Sequence, residues 1–528
     1  MPEYDLLLRG GTVIDGSGAP GRKADVAVRG DRIEAVAAGL PSDHAAAEKV
    51  IDATGLVVAP GFIDTHNHSD GWLLKIPHLV SKTSQGFTTE VLASDGISYA
   101  PIEPDQAAEW MHYLRSLDGL HLADYRGWRS IADYMALLDG RNVQNTATQI
   151  PYANIRVLAL GWGRAPADDA QLRLMRREVR RGMEQGATGI STGLDYVAEC
   201  FADTDEIVEV ARAMAPWGGL YVTHVRYKRG VLAGVREAVE IGRRAGVPVH
   251  ISHLKGGDEQ ESEELLDYID RVAVHEVDFS FDVYPYLPGS TMLNSLLPYD
   301  VWEDGPLGVT ARLASRDLRR RFAAQLDDYR LELDQIRIAW VPGKENSLYQ
   351  GVSLAEFARQ VDRPAAEAIC DLLIEENLAV LCVFFAGDDR LVEPFLKHER
   401  FMIGSDGIYF ADGRIHPRQY GAATRILGPL VRERRLFSLE TAVRKLSGLP
   451  AERFGLADRG LIRAGAFADL VVFDPATVSD RATYDNPHQL SIGIEHVLVN
   501  GVPILRDGRP LEIAGPRLPG RALRFKAG

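Results

Sequence analysis

Eight short apolar runs, separated by helical stretches and glycine turns, set the strongest constraint on how this chain folds. Two of the intervening stretches, 169–186 and 231–246, have the periodicity of an amphipathic helix and end in glycine. Strands that alternate with helices are typical of a parallel sheet, and eight of them predict a (β/α)8 barrel of the α/β class. The predicted strands are 62–66, 88–94, 145–150, 188–192, 220–224, 248–253, 279–285 and 401–406.

The two ends of the chain show a different pattern, in which short strands are broken by turns. Glycines 10, 11 and 55 mark turns in the first 58 residues, and Asn500-Gly501 is a hairpin signal near the C-terminus. Because the N-terminal strands are too few for a stable sheet of their own, we predict one small β-sandwich domain built from 1–58 and 459–528. The barrel then spans 59–458, with an insertion at about 288–350 that we interpret as a lid near the site.

Composition argues against several functional classes. The 528 residues include 74 acidic and 59 basic ones, giving a formal net charge of −15 without long blocks of one sign, so we expect no nucleic-acid partner and no anionic membrane partner. No apolar run approaches the ~18 residues of a membrane span, and the N-terminus has no basic region followed by a long apolar core, so we expect neither a membrane span nor a signal sequence. The three cysteines, Cys200, Cys370 and Cys382, are an odd number, which favours a reducing, cytoplasmic location. A homo-oligomer is left open.

Histidines and aspartates stand where the predicted strands end. His66 and His68 are two residues apart, so on a strand both side chains leave the same face. Barrel enzymes carry their chemistry at the rim formed by the C-terminal ends of the strands. Four imidazoles and two carboxylates at one rim predict a site for zinc or another borderline divalent metal. The predicted ligands are His66, His68, Asp95, His224, His253 and Asp406.

Such a site favours hydrolysis, because a divalent metal lowers the pKa of a bound water to about 7. A carboxylate beside that water can accept its proton and later donate it to a leaving nitrogen. Asp406, in the motif IGSDG, is placed for this role and is our candidate catalytic residue. His250 lies three residues before His253 and points to the opposite face of its strand, so we expect it to be structural.

Several motifs resemble a known family. GFIDTHNHSD, VTHVR, ISHLKG and IGSDG are similar to motifs of the amidohydrolase superfamily of metal-dependent barrel hydrolases. GISTGLDY, DVYPYLPGSTML and HPRQYGAATRILG resemble its D-aminoacylase branch, the N-acyl-D-amino-acid deacylases. The resemblance implies a hydrolase of linear amide C–N bonds whose small-molecule substrate is an N-acyl amino acid.

The resemblance also implies roles for individual residues. His224 and His253 would hold a tightly bound zinc ion, His66 and His68 would frame a second, weaker position, and Asp406 would be the catalytic acid and base. Arg418 would pair with the substrate carboxylate, which suits the two parallel hydrogen bonds that a guanidinium offers. The residues implied to bind substrate are Lys255, Tyr284, Ser290 and Arg418.

One position departs from the family pattern. Where D-aminoacylases have a cysteine in an Asn-Cys-Gly turn after strand two, this chain has Asp95 in LASDGIS, and no lysine ends strand four. Asp95 is our first choice as the replacement ligand, Glu90 is the second, and a single ion held by histidines alone is the alternative. A carboxylate ligand could favour two ions, or manganese or cobalt relative to zinc.

Two other functions remain open at this point. A cyclic-amide hydrolase of the hydantoinase or dihydroorotase type would share the superfamily motifs, although the sequence around Tyr284 and Arg418 favours an open-chain substrate. A non-catalytic barrel with a structural or interaction role would be expected to have lost ligands, yet all the predicted ones are present. The preferred acyl group and side chain are not fixed by the sequence, and selectivity for D over L substrates rests on the resemblance alone.

Overall fold

The computed structural model describes residues 3–42, 47–328 and 332–526. The N-terminal strands are β1 (Tyr4–Val13), β2 (Arg22–Arg29), β3 (Arg32–Ala37), β4 (Ala47–Asp52) and β5 (Val57–Pro60). The middle of the chain contains β6 (Phe62–Asp64), β7 (Asn67–His68), β8 (Phe87–Leu92), β9 (Asn145–Thr148), β10 (Ile150–Pro151), β11 (Gly189–Gly193), β12 (Leu220–His224), β13 (Val249–Ile251), β14 (Phe279–Val283), β15 (Gly289–Met292), β16 (Ile336–Trp340), β17 (Leu381–Phe384), β18 (Phe401–Ile403) and β19 (Gly407–Ile408). The C-terminal strands are β20 (Leu470–Phe473), β21 (Ile494–Val499), β22 (Val502–Arg506) and β23 (Arg509–Pro510).

Helices connect the middle strands. The α-helices are α1 (Trp72–Lys75), α2 (Val80–Thr83), α3 (Ala107–Tyr113), α4 (Arg115–Asp118), α5 (Ile131–Leu138), α6 (Tyr152–Leu160), α7 (Asp169–Glu184), α8 (Thr204–Ala211), α9 (Val231–Ala245), α10 (Glu259–Tyr268), α11 (Val274–Glu276), α12 (Pro306–Leu313), α13 (Arg316–Asp328), α14 (Leu354–Gln360), α15 (Ala365–Glu375), α16 (Glu393–Lys397), α17 (Arg418–Arg425), α18 (Leu439–Val443) and α19 (Leu449–Arg453). The stretches predicted to be helical correspond to α7 and α9. Within the described residues, no helix has both the length and the apolar character needed to cross a membrane.

Parallel strands close into the barrel that the sequence predicts. β6, β8 and β9 form one run of the sheet, and β10 to β14 followed by β18 form the other. Because only Gln149 separates β9 from β10, these two short strands occupy one barrel position. The first and last positions meet where Thr65 N donates to Ile403 O at 3.3 Å. The barrel strands are buried almost throughout, as expected for a parallel sheet covered by helices.

Apolar side chains fill the lower part of the barrel. Ile63, Val91, Val222 and Met402 belong to one interior cluster contributed by different strands. Phe454, which follows α19, belongs to the same cluster, and its neighbour Arg453 donates to Val249 O and Asp278 O, where β13 and β14 begin. The opposite end, where the strands finish, is therefore the open rim of the barrel.

Strands from both ends of the chain share one sheet. Its order is β23-β22-β21-β20-β5-β1-β2-β3, with β4 paired to β1, and the two chain ends join where β5 runs antiparallel to β20. Along β20 the side chains alternate, since Leu470 and Val472 enter the core of this sheet while Val471 and Phe473 belong to the barrel core. The sheet is thereby packed against the barrel.

Between β14 and β18 the chain forms a small antiparallel sheet of order β15-β17-β16, accompanied by α12 to α15. The predicted insertion at 288–350 lies in this segment and contains β15 and β16, whereas β17 follows it. Ser290 lies on β15 and lines the cavity described below. The small sheet therefore supplies one wall of the candidate site.

Candidate metal centre and active site

The six side chains predicted as metal ligands lie together at the open rim. Two groups have ligand atoms that all lie within 4.8 Å of one another, His66 with Asp95 and His253, and His66 with His68 and Asp406. His224 joins them, because its Nδ1 is 3.0 Å from His253 Nε2. Asp406 Oδ1 lies 3.4 Å from His68 Nε2 and 3.7 Å from His66 Nε2.

Three of these residues have a left-handed backbone conformation. The φ angles are 54° at Asp95, 38° at His253 and 50° at Asp406, a region that residues other than glycine seldom occupy. Hydrogen bonds to other segments hold two of these turns, since Asp406 N donates to His66 O at 2.7 Å and Ala93 N donates to Asp70 Oδ1 at 3.0 Å. Strained backbone that is stabilised in this way is characteristic of functional sites.

The electrostatics of the cluster favour a cation. Burial lowers the pKa of His66, but the Asp95 and Asp282 carboxylates outweigh it and raise that pKa well above its ordinary value. Burial raises the pKa of Asp95, yet His66 and its neighbours hold it well below the usual range. Among the described residues, His66 Nδ1, His66 Nε2 and Asp95 Oδ1 are buried without a hydrogen-bond partner. Since buried polar atoms normally have partners, and imidazole with carboxylate suits zinc, manganese or cobalt, the residues fit a divalent metal.

Asp406 forms a buried ion pair on its other side. Its Oδ2 lies 2.8 Å from Arg418 Nη1, and the Arg418 side chain is fully buried. Burial raises the pKa of Asp406, but the Arg418 charge and the neighbouring histidines hold it well below the usual range for a carboxyl. The Asp406 carboxylate is therefore ionised.

A cavity of about 380 Å³ opens above the ligand cluster, and three of the four predicted substrate residues, Lys255, Tyr284 and Ser290, line it. Lys255 Nζ donates to Tyr284 OH at 2.7 Å and to Leu287 O at 2.6 Å. Burial, and after it the charge of Arg418, lowers the pKa of Lys255 to about 7. Arg418 lies behind the part of the cavity wall that Tyr284 and Ser290 form. Its guanidinium is 4.5 Å from the centre of the Tyr284 ring, and its Nη2 donates to Ser290 O at 3.0 Å.

Two carboxylates near the ligands were not identified from the sequence. Asp195 Oδ2 lies 3.6 Å from His224 Nε2, and Asp282 Oδ2 lies 3.7 Å from His66 Nδ1. A signal for Asp282 exists, because it is a charged residue within the apolar run FSFDVYP and shares its strand face with Tyr284 two residues later. Glu90, the second choice as replacement ligand, accepts from Gln144 Nε2 at 2.8 Å and lies outside both ligand groups.

The sequence matches the amidohydrolase family over residues 49–337 and 397–505. It is 39% identical to the D-aminoacylase of Alcaligenes xylosoxydans xylosoxydans over 96% of this chain and 95% of that protein. It is 38% identical to the N-acyl-D-glutamate deacylase of the same organism, over 99% of this chain and 97% of the relative. The crystal structure of N-acyl-D-glutamate deacylase from Bordetella bronchiseptica, complexed with zinc and a phosphonate mimic of the tetrahedral intermediate, superposes with a TM-score of 0.83 at 35% identity, covering 99% of this chain and 100% of that one.

Proposed function

This chain belongs to the amidohydrolase family, and on that premise we propose that it hydrolyses the linear amide bond of N-acyl-D-amino acids to a carboxylate and a free amino acid. The match to this family confirms the resemblance that the sequence motifs indicate. The D configuration is taken from the relatives, which are a D-aminoacylase and an N-acyl-D-glutamate deacylase at 39% and 38% identity. The observation that carries the proposal is the convergence of six ligand-type side chains beneath a cavity that Lys255 and Tyr284 also line.

Zinc is the proposed resident metal, because the similar N-acyl-D-glutamate deacylase was crystallised with zinc. In the proposal His224, His253 and Asp95 hold the principal ion, and His66 and His68 frame a second, weaker position. When bound, such an ion would polarise the scissile carbonyl and acidify a water molecule. Manganese and cobalt are the alternatives, since Asp95 offers oxygen where the relatives' motif offers sulfur.

Asp406 is the proposed proton carrier. Its carboxylate is ionised, is buried and faces the cluster through Oδ1, 3.4 Å from His68 Nε2. It would accept the proton of the attacking water and then donate that proton to the leaving amine. Arg418, 2.8 Å from Oδ2, would keep Asp406 charged before the reaction starts.

The proposed grip on the substrate carboxylate consists of Lys255, Tyr284, Ser290 and Arg418. Tyr284 and Lys255 line the cavity, and Lys255 Nζ already donates a hydrogen bond to Tyr284 OH at 2.7 Å. Arg418 Nη1 is already paired with Asp406, but its buried Nε has no hydrogen-bond partner among the described residues. This donor would be satisfied by a carboxylate that reaches past Tyr284.

We propose that residues 1–58 and 459–528 form one small β-sandwich domain. The barrel at 59–458 lies between these two segments in the sequence, and its insertion at about 288–350 is proposed to cover the site. A cytoplasmic location is proposed from the cysteine content, since all three cysteines are free and buried.

A paired hydrolysis assay tests the function. Metal-free protein is supplied separately with zinc, manganese or cobalt and is offered N-acetyl-D-methionine, N-acetyl-L-methionine and a hydantoin. We expect metal-dependent release of the free amino acid from the D substrate. Hydrolysis of the hydantoin without hydrolysis of either open-chain amide would replace the proposal with the cyclic-amide activity.

A further inference from the structure

Asp282 lies outside the ligand set and contacts two of the candidate metal ligands, His66 and His253. It lies on β14, which pairs directly with β18, the strand that leads into the Asp406 motif, and its side chain is fully buried. Oδ1 accepts a hydrogen bond from His253 N at 2.8 Å. Oδ2 lies 2.8 Å from His250 Nε2 and 3.7 Å from His66 Nδ1. A single carboxylate therefore faces two candidate ligands from behind.

The contact with His66 can set the orientation of the imidazole ring. The Nε2 atom of His66 faces Asp95 and Asp406, at 3.4 and 3.7 Å, so this is the nitrogen available to a metal. An imidazole that ligates through Nε2 carries its proton on Nδ1, and that N–H needs an acceptor. His66 Nδ1 is buried, and the carboxylate that faces it is that of Asp282.

The contact with His253 fixes the backbone instead of the ring. His253 has a φ of 38°, which is unfavourable for a side chain with a Cβ atom. The hydrogen bond from its N–H to Asp282 Oδ1 holds the residue in that conformation. Without the bond, relaxation of the backbone would swing the imidazole away from His224 and Asp95.

Two neighbours lock Asp282 in place. His250 bonds to Asp282 through Nε2 and to Ser280 Oγ through Nδ1, each at 2.8 Å. Gly404 supplies the space, because a Cβ atom there would lie 2.5 Å from Asp282 Oδ1 and 2.7 Å from His66 Cβ. The missing side chain at Gly404, directly after β18, lets the Asp282 carboxylate and the His66 imidazole approach each other.

We propose that Asp282 is a positioning residue of the metal centre, which sets the ring orientation of His66 through Nδ1 and the backbone conformation of His253 through its N–H. The proposal rests on the metal site of the proposed function. It assigns His250 a supporting role, since that side chain holds Asp282 and touches no candidate ligand through its own ring nitrogens.

Metal affinity tests the proposal independently of activity. Asp282→Asn keeps an acceptor for His253 N but removes the charge that His66 Nδ1–H would meet. We expect the affinity for zinc, measured by competition with a chromogenic chelator, to fall by about 10- to 100-fold. The visible spectrum of the cobalt-substituted protein should change in band position or intensity. The unfolding midpoint of the metal-free protein should stay near the wild-type value. Glu206→Gln is the matched control, because Glu206 is also buried and hydrogen-bonded, to Arg156 and Tyr152, outside the candidate site.

Two further variants keep the proposal falsifiable if Asp282→Asn does not fold. His250→Asn should weaken zinc binding in the same direction by a smaller factor, and Gly404→Ala should do so by crowding Asp282 and His66 without removing either. Wild-type zinc affinity and an unchanged cobalt spectrum in whichever of these variants fold would overturn the proposal. Failure of the wild-type protein to bind any of the three metals would overturn the proposed function as well, so the two failures are distinguishable.

Discussion

Replacement of Asp406 by asparagine separates proton transfer from the other roles of this residue. The amide has nearly the same shape as the carboxylate and can still face His68, but it cannot carry a proton at neutral pH. A positioned proton carrier contributes about 10²- to 10⁴-fold to a rate, which corresponds to about 2.7 to 5.5 kcal/mol of barrier at ~1.36 kcal/mol per factor of ten. We expect kcat to fall by that factor while bound metal stays near the wild-type content.

The same substitution also breaks a buried ion pair, so its effect on stability needs a control. Loss of one partner leaves the Arg418 charge uncompensated, at a cost of up to about 3 to 5 kcal/mol. Asp469→Asn is matched to it, because Asp469 pairs with Arg459 and the two side chains are only 4% and 3% exposed. Asp469 lies directly before β20 and outside the candidate site, so this control should lower the free energy of unfolding similarly while leaving kcat near wild type. A kcat loss below about tenfold in Asp406→Asn, or a loss that only follows the loss of metal, would refute the proton-transfer role.

Three further predictions concern the substrate, the metal and the stability. Arg418→Met should raise KM for N-acetyl-D-methionine by at least about tenfold in steady-state assays, and it should change KM for the matching N-acyl amine, which lacks the carboxylate, much less. Equal increases in KM for both substrates would mean that Arg418 acts only through its ion pair with Asp406. Asp95→Cys should shift metal content after dialysis toward zinc and away from manganese, because sulfur is the softer ligand. Burial lowers the pKa of Lys445 to about 7 from 10.5, so the folded state binds fewer protons between these values and stability should rise with pH across that window. Lys445→Met should flatten this rise in urea unfolding measured at about pH 7 and about pH 9.

The barrel and the position of the candidate site could be predicted because both follow from periodicity. Each candidate ligand ends or follows a predicted strand, and parallel strands of a barrel bring their C-terminal ends to one rim. His66, His224 and His253 are separated by long stretches of sequence, yet the structure places them together. Their roles as ligands remain a prediction until metal is measured.

Contacts that depend on side-chain packing could not be predicted in this way. Asp282 can face His66 because Gly404, directly after the neighbouring strand β18, leaves space for both side chains, and no local sequence pattern encodes that approach. Arg418 begins α17, and its place behind Tyr284 depends on how this helix docks on the barrel. The small sheet of β15, β16 and β17 was missed because its strands are short and far apart in sequence.

Asp95 shows why a departure from the family motif need not abolish the site. Its carboxylate approaches all four candidate histidines, at 3.4 Å from His66, 3.7 Å from His68, 3.9 Å from His224 and 3.6 Å from His253. Aspartate tolerates the left-handed conformation that this position requires, and Gly96 continues the turn with a φ of 69°. The substitution therefore keeps an anion at the centre of the cluster and changes its chemistry from sulfur to oxygen. Because a harder ligand weakens the preference for zinc, metal selectivity is the property that this position should alter.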